Sequence, residues 1–268
     1  MKKIITAFIA GIAAIGASAF STDTIAVKSS YLPQPDSVVV IVPDAATTQK
    51  CPSVYLLNGF GGDYSQWLRI RPDLGKYADL YGMVLILPSG MDSWYWDSPE
   101  VPGMQMESFI TKTLVPYIDK NYPTIANRDK RAVAGLSMGG HGAMWLAGNH
   151  PDMFGSASAI SGGVDVRPFP GKWKMSTWLG DKDKYPQRWE SHTVANLVPQ
   201  LKEGNLNISL DCGSDDFFAV VNENLHKALL AEKVPHDYTS RPGGHSFAYW
   251  KNAIIYQLLF FNEAFNKK

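Results

Sequence analysis

The sequence predicts an α/β protein organised on a mostly parallel sheet, and three observations carry that prediction. Short, mostly apolar runs alternate with helical patterns. The segment Gly135-Leu136-Ser137-Met138-Gly139 joins one such run to an Ala-rich helical pattern, and no low-complexity linker or internal repeat divides the 268 residues. Short runs that are apolar or nearly so are what strands look like when crossover helices cover both faces of a parallel sheet.

In chain order, the apolar runs predict strands over 38–42, 54–57, 83–87, 132–136, 157–160 and 208–210, with a further strand over about 237–240. Helical patterns fall between them over 74–81, 106–120, 139–149, 193–203, 222–233 and 247–265. In the second helix Met106, Phe109, Leu114 and Ile118 recur at roughly helical spacing, and Pro123 lies just beyond its end. The stretch 161–192 breaks the rhythm with Pro168, Pro170, Gly171, Trp173, Trp178, Tyr185 and Trp189 among charged residues. A loop of that length is expected to be functional, its aromatic content argues against disorder, and it is read as a lid-like insertion over the site.

The ends and the composition bound the setting. Met1-Lys2-Lys3, an apolar stretch over 4–15 and the small residues Ala17-Ser18-Ala19 have the form of a secretory signal, so residues 1–19 are expected to be removed and 20–268 to form one exported domain, periplasmic or secreted from a bacterium. The apolar stretch is shorter than the roughly 20 residues a membrane span needs, no other approaches that length, and no Cys follows the cleavage site to take a lipid. The 25 basic and 25 acidic residues balance, and loss of Lys2 and Lys3 leaves 23 against 25. No basic patch argues for nucleic acid or for an anionic membrane surface. Cys51 precedes one predicted strand whereas Cys212 follows another, so in a parallel sheet their sulfurs lie at opposite ends, beyond the roughly 7 Å Cα limit of a disulfide, and two free, partly buried thiols are expected.

The chemistry starts at Ser137. A strand that reverses sharply into a helix strains its turn residue, and the positions two before and two after must be Gly to avoid contact, which lifts the Ser137 hydroxyl above the sheet. A serine hydroxyl needs a base within hydrogen-bond reach and a third group to orient that base. Of the six histidines, His245 in Gly243-Gly244-His245-Ser246 lies in a glycine-rich loop between a strand and the last helix. His141 is one turn after Ser137 on the same helix and cannot easily swing back, so packing or capping is its expected role. His150, His192, His226 and His236 fall at helix ends or on surface faces. The acid, if the order Ser, Asp, His holds, lies among Asp211, Asp215 and Asp216. Asp211 belongs to a strand terminus and is expected to make a local structural bond; pattern alone leaves Asp215 and Asp216 open.

Five segments together resemble a known family: Leu56-Leu57-Asn58-Gly59-Phe60-Gly61-Gly62, Ser93-Trp94-Tyr95-Trp96, Gly135-Leu136-Ser137-Met138-Gly139-Gly140-His141-Gly142, Cys212-Gly213-Ser214-Asp215-Asp216-Phe217 and Gly243-Gly244-His245. The chain resembles, from about residue 35 to 265, the esterase D-like family of α/β-hydrolases, which includes feruloyl and acetylxylan esterases, tributyrin-type esterases, S-formylglutathione hydrolases and mycolyltransferases. The resemblance implies the α/β-hydrolase fold and a Ser137, Asp216, His245 triad, since relatives with Cys-Gly-x-x-Asp use the residue four after the Cys. It also implies Phe60 as the second oxyanion-hole N–H donor beside Met138, the residue after the nucleophile. Asn58 stands where many relatives carry His, Asp or Ser, which leaves the backbone donor intact and puts a side-chain role there in doubt.

Trp94 and Trp96, beyond the strand over 83–87 on the edge where parallel folds place ligands, are expected to line the alcohol-side pocket, with core packing as the alternative. Trp67, Trp173, Trp178 and Trp189 are weaker candidates for that role. No metal-ligand spacing and no Walker or dinucleotide glycine pattern is present, so no metal or cofactor is expected. The reading is a secreted serine carboxylic ester hydrolase that forms an acyl-enzyme on short acyl or feruloyl esters, with carbohydrate esters as substrates and export making a glutathione thioester unsuitable. The alternatives are an acyltransferase with an alcohol acceptor, a non-catalytic binding module and, ranked low, a peptidase.

Overall fold

Each short apolar run falls on a strand, and eight strands join in one sheet in a computed structural model that describes residues 20–267; the expected signal segment 1–19 lies outside the described residues. The strands are β1 (Ser21–Val27), β2 (Asp36–Val42), β3 (Ser53–Leu57), β4 (Val84–Leu87), β5 (Arg131–Leu136), β6 (Ser156–Ile160), β7 (Asn207–Gly213) and β8 (Asp237–Arg241). Their spatial order is β1-β2-β4-β3-β5-β6-β7-β8, with β1–β2 and β2–β4 antiparallel and every other pair parallel. This is the α/β-hydrolase arrangement predicted from the sequence, and the crossover from β3 to β4 and back to β5 places the end of β5 in the middle of the sheet.

The helices are α1 (Gln66–Ile70), α2 (Leu74–Tyr81), α3 (Met106–Phe109), α4 (Val115–Asn121), α5 (Met138–Asn149), α6 (Met175–Leu179), α7 (Pro186–Ser191), α8 (Val198–Glu203), α9 (Ala219–Ala231) and α10 (Phe247–Asn266). Strands β3 to β6 are buried along their whole length because helices cover both faces. On one face Val133, Leu57 and Ala157 pack with Phe109, Ile118 and Leu146; on the other Leu56, Ala134 and Ile160 pack with Trp67, Ala78, Ile254 and Phe261.

Differences from the expected elements have physical reasons. β1 was not expected because it is an edge strand whose residues are mostly exposed and whose apolar residues, Ile25-Ala26-Val27, are confined to its end after four polar ones. The helix expected over 106–120 is continuous but wound as a π-helical turn at Ile110–Leu114 between α3 and α4. The helix expected over 193–203 starts as a short 3-10 turn, Val194–Asn196, before α8. Within 161–192 two short helices, α6 and α7, are pinned by indoles: Trp178 Nε1–H donates to the Asp92 carbonyl at 2.7 Å and Trp189 Nε1–H to the Gly180 carbonyl at 3.1 Å. Cys51 and Cys212 are both free, and both are fully rather than partly buried.

Candidate active site

Ser137 occupies the turn between β5 and α5 with φ 56° and ψ −117°. Strain of this kind costs on the order of 1–3 kcal/mol and persists only where its surroundings impose it. Here the glycines impose it by letting backbones touch: a Cβ on Gly135 would come within 2.2 Å of the Gly139 carbonyl oxygen, and one on Gly139 within 2.4 Å of the Leu57 carbonyl oxygen. The Ser137 N–H is held by the Ile160 carbonyl at 2.9 Å, and its own carbonyl accepts from Gly163 N–H at 3.1 Å.

His245 reaches this hydroxyl from the loop between β8 and α10. Ser137 Oγ lies 2.9 Å from His245 Nε2, and His245 Nδ1 lies 2.9 Å from Asp216 Oδ2 and 3.1 Å from Asp216 Oδ1. A carboxylate only accepts, so the proton between the ring and Asp216 is on Nδ1, which leaves the Nε2 lone pair facing the serine hydroxyl. The Asp216 side chain is fully buried, and its Oδ1 also accepts the Phe218 N–H at 2.8 Å. The structure therefore brings together Ser137, His245 and Asp216. Asp215 is exposed and points elsewhere, its Oδ1 lying 3.5 Å from Ser214 Oγ.

Asp211 makes the structural contacts expected of it. It is buried, accepts from the Tyr249 hydroxyl at 2.6 Å and Gln257 Nε2 at 3.3 Å, and pairs with Arg241. Burial raises its pKa against the pull of those donors. His141 is likewise structural: fully buried, with Nδ1 3.1 Å from the Gly163 carbonyl, it has its pKa lowered by burial to about 3 and stays neutral. Its bond steadies the Gly163 segment that holds the Ser137 carbonyl.

The loop after β3 faces the nucleophile. Gly59 N–H donates to Gln66 Oε1 at 2.8 Å and Gly61 N–H to Asp92 Oδ1 at 2.7 Å, whereas the Phe60 N–H between them has no hydrogen-bond partner among the described residues. Met138 is the first residue of α5, so its N–H has no intrahelical acceptor and lies at the positive end of the helix. These are the two backbone donors expected for an oxyanion.

A cavity of about 310 Å³ opens on the serine, lined by Gly59, Phe60, Gln66, Leu136, Ser137, Trp173, Phe217, His245, Phe247 and Trp250. Trp173 stacks on Phe217 at 5.6 Å between ring centroids, Phe217 lies 4.2 Å from the His245 ring, and Trp250 stands perpendicular to that ring at 4.8 Å. Trp94 and Trp96 are not part of this lining. They are 1% and 0% exposed and pack against each other and His141, so the expectation that they line the pocket is corrected to core packing. Trp94 acts at one remove, donating through Nε1 to the Trp173 carbonyl at 3.1 Å. Phe217, adjacent to Asp216, and Phe247 and Trp250, just after His245, were missed in the sequence. Their proximity to triad candidates was the available signal. Among the described residues no group of three or more His, Cys, Asp or Glu side chains could hold a metal ion, and no helix is long and apolar enough to cross a membrane.

Comparison with known proteins bears on the family and the fold. The chain is 27% identical over 214 residues to an acetyl esterase of Caldicellulosiruptor saccharolyticus, a match covering 75% of this chain and 80% of the relative. It is 27% identical over 234 residues to the S-formylglutathione hydrolase of Bos taurus, covering 78% and 81% respectively. A solved ferulic acid esterase superposes with a TM-score of 0.77 at 26% identity, covering 92% of this chain and 99% of that one. The family profile described as "Putative esterase" matches residues 29–261. The chain belongs to that esterase family, and it is a serine carboxylic ester hydrolase of the α/β-hydrolase fold.

Proposed function

We propose that Ser137, His245 and Asp216 form the catalytic triad of an exported enzyme that hydrolyses short acyl or feruloyl esters of carbohydrates. The observation that carries this reading is His245 bridging the Ser137 hydroxyl and the buried Asp216 carboxylate beside an aromatic-lined cavity. Ser137 Oγ attacks the ester carbonyl while its proton passes to His245 Nε2. The Phe60 and Met138 N–H groups stabilise the oxyanion, each such donor being worth about 10²–10³ in rate. Collapse of the intermediate expels the alcohol, which takes the proton from His245, and leaves an acyl-enzyme. Water, deprotonated by His245, then releases the acid. Asp216 fixes the ring's tautomer and stabilises the imidazolium.

Support for the substrate class comes from the cavity walls and the relatives. Trp173, Phe217 and Trp250 offer flat faces suited to a phenolic acid or a sugar ring. The relatives' names include an acetyl esterase and a ferulic acid esterase. Export rests on residues 1–19, and the N-terminal residue of the protein recovered from its native cells tests it: Phe20 supports cleavage, Met1 excludes it. The substrate test is chromatography of acids released from acetylated and feruloylated xylan, with Ser137→Ala as blank and p-nitrophenyl acetate as activity control. Acid released from the polymer supports the carbohydrate reading. Cleavage of the small ester alone removes it.

A further inference from the structure

The oxyanion donor proposed on Phe60 depends on a peptide plane, and hydrogen bonds to the Gly59 carbonyl hold that plane. A trans peptide points its C=O and N–H in opposite directions, so fixing the Gly59 carbonyl fixes the direction of the Phe60 N–H. That carbonyl accepts Asn58 Nδ2–H at 2.9 Å and Gly62 N–H at 3.0 Å. Neither Asn58 nor Gly62 lines the cavity that Gly59 and Phe60 line with Ser137.

Asn58 is fully buried and uses both ends of its carboxamide. While Nδ2 donates to the Gly59 carbonyl, Oδ1 accepts Gly90 N–H at 2.8 Å from the loop after β4. The Tyr95 hydroxyl, 3.1 Å from Asn58 Oδ1 and 3.2 Å from its carbonyl, closes the arrangement, and burial raises that hydroxyl's pKa so that it stays a donor. Tyr95 belongs to a segment in which Met91, Asp92, Trp94 and Tyr95 all have positive φ, a concentration of backbone strain beside the loop it braces.

We propose that Asn58 is a positioning residue for the oxyanion hole: its carboxamide holds the Gly59–Phe60 peptide plane so that the Phe60 N–H faces the carbonyl being attacked at Ser137. The inference rests on the Ser137 nucleophile and the Phe60 donor proposed above. The carboxamide donates to the Gly59 carbonyl and accepts the Gly90 N–H at once, a pairing that an ionised Asp, which only accepts, could not make.

The test uses p-nitrophenyl acetate turnover and inhibition by phenylboronic acid, which forms a tetrahedral adduct on a serine nucleophile and so reports the oxyanion site, both counted per site titrated with a fluorophosphonate. Asn58→Ala is expected to lower kcat about tenfold or more, leave KM within about threefold, and weaken boronate inhibition by the same factor as kcat/KM. A purely structural role would reduce the titrated fraction and the melting temperature while leaving kcat and boronate inhibition per site unchanged, and that result overturns the proposal. Should the Ala variant not fold, Asn58→Asp decides the matter. A protonated carboxyl there can donate to the Gly59 carbonyl and an ionised one cannot, so the ratio of variant to parent kcat should fall as pH rises; a flat ratio overturns the proposal. Turnover that persists in Ser137→Ala would instead discard the underlying nucleophile assignment.

Discussion

The Asp215 N–H donates to the Gly243 carbonyl at 2.9 Å, and this bond ties the loop of Asp216 to the loop of His245. Alongside it, Ser214 N–H donates to the Arg241 carbonyl at 2.9 Å, and a Cβ on Gly213 would come within 2.1 Å of the Gly243 carbonyl oxygen. β7 and β8 pair in parallel up to Gly213 and Arg241, so the two loops leave the sheet side by side. Asp215 therefore contributes its backbone, whereas Asp216 contributes its side chain.

The first prediction separates these neighbours. Asp216→Asn keeps the shape but favours the wrong imidazole tautomer, and kcat should fall by about 10⁴. Asp215→Asn retains the backbone bond to Gly243 and changes only an exposed carboxylate, so its kcat should stay within about twofold of the parent. Steady-state kinetics on a p-nitrophenyl ester decide it: the reverse ranking would reassign the acid.

The meeting of Ser137 and His245 was legible in the sequence because each stands in a glycine-rich turn at the end of a strand. The choice of Asp216 was not legible from pattern, since Asp215 and Asp216 share one loop and only the direction of each side chain tells them apart. The cavity walls were illegible for another reason. Trp94 and Trp173 are both Trp in loops, and whether such a ring faces a core or a cleft depends on long-range packing. Trp94 is covered by Trp96, His141 and Trp173, while Trp173 has Phe217 and the cavity beyond it.

That contrast gives the second prediction. Trp94→Ala removes a fully buried indole and should cost about 3–5 kcal/mol of stability, read as a lowered denaturation midpoint. Trp173→Ala, at the cavity, should leave most of the stability and raise KM for an aryl ester more than for an acetyl ester of a small alcohol. Equal effects of the two substitutions on stability and KM would refute the division.

The third concerns the elbow. Gly139→Ala would drive its methyl against the carbonyls of Leu57 and Asn58, 2.4 and 2.7 Å from the ideal Cβ, and backbone cannot rotate aside as a side chain can. A loss of at least about 1–3 kcal/mol is expected, with a larger loss of turnover because the shift moves β3 and the Phe60 donor away from Ser137. Gly103→Ala, with open space around its Cβ, is the matched control and should change neither quantity. Urea melts and kcat for the two variants check the pair.

The last prediction follows from a carboxyl group outside the site. Asp36 begins β2, is 0% exposed, and has its pKa pushed up to about 8 by burial, only partly offset by the N–H groups of Ser89 and Ser37. Its Oδ2 accepts the Ser89 N–H at 3.2 Å, and its Oδ1 has no partner among the described residues. Between the ordinary carboxyl pKa near 4 and about 8, the folded chain holds a proton here that the unfolded chain has released. Unfolding then loses a proton, so stability falls as pH rises through that window. Asp36→Asn removes the proton while keeping an acceptor for Ser89 N–H, and it supplies N–H donors where the carboxyl would have ionised. The variant should therefore gain stability over the parent progressively from pH 5 to pH 8, measured as the difference between urea midpoints at the two values. A difference that shrinks toward pH 8 would mean that Asp36 is ionised in the folded chain and partnered by a group that stabilises its charge.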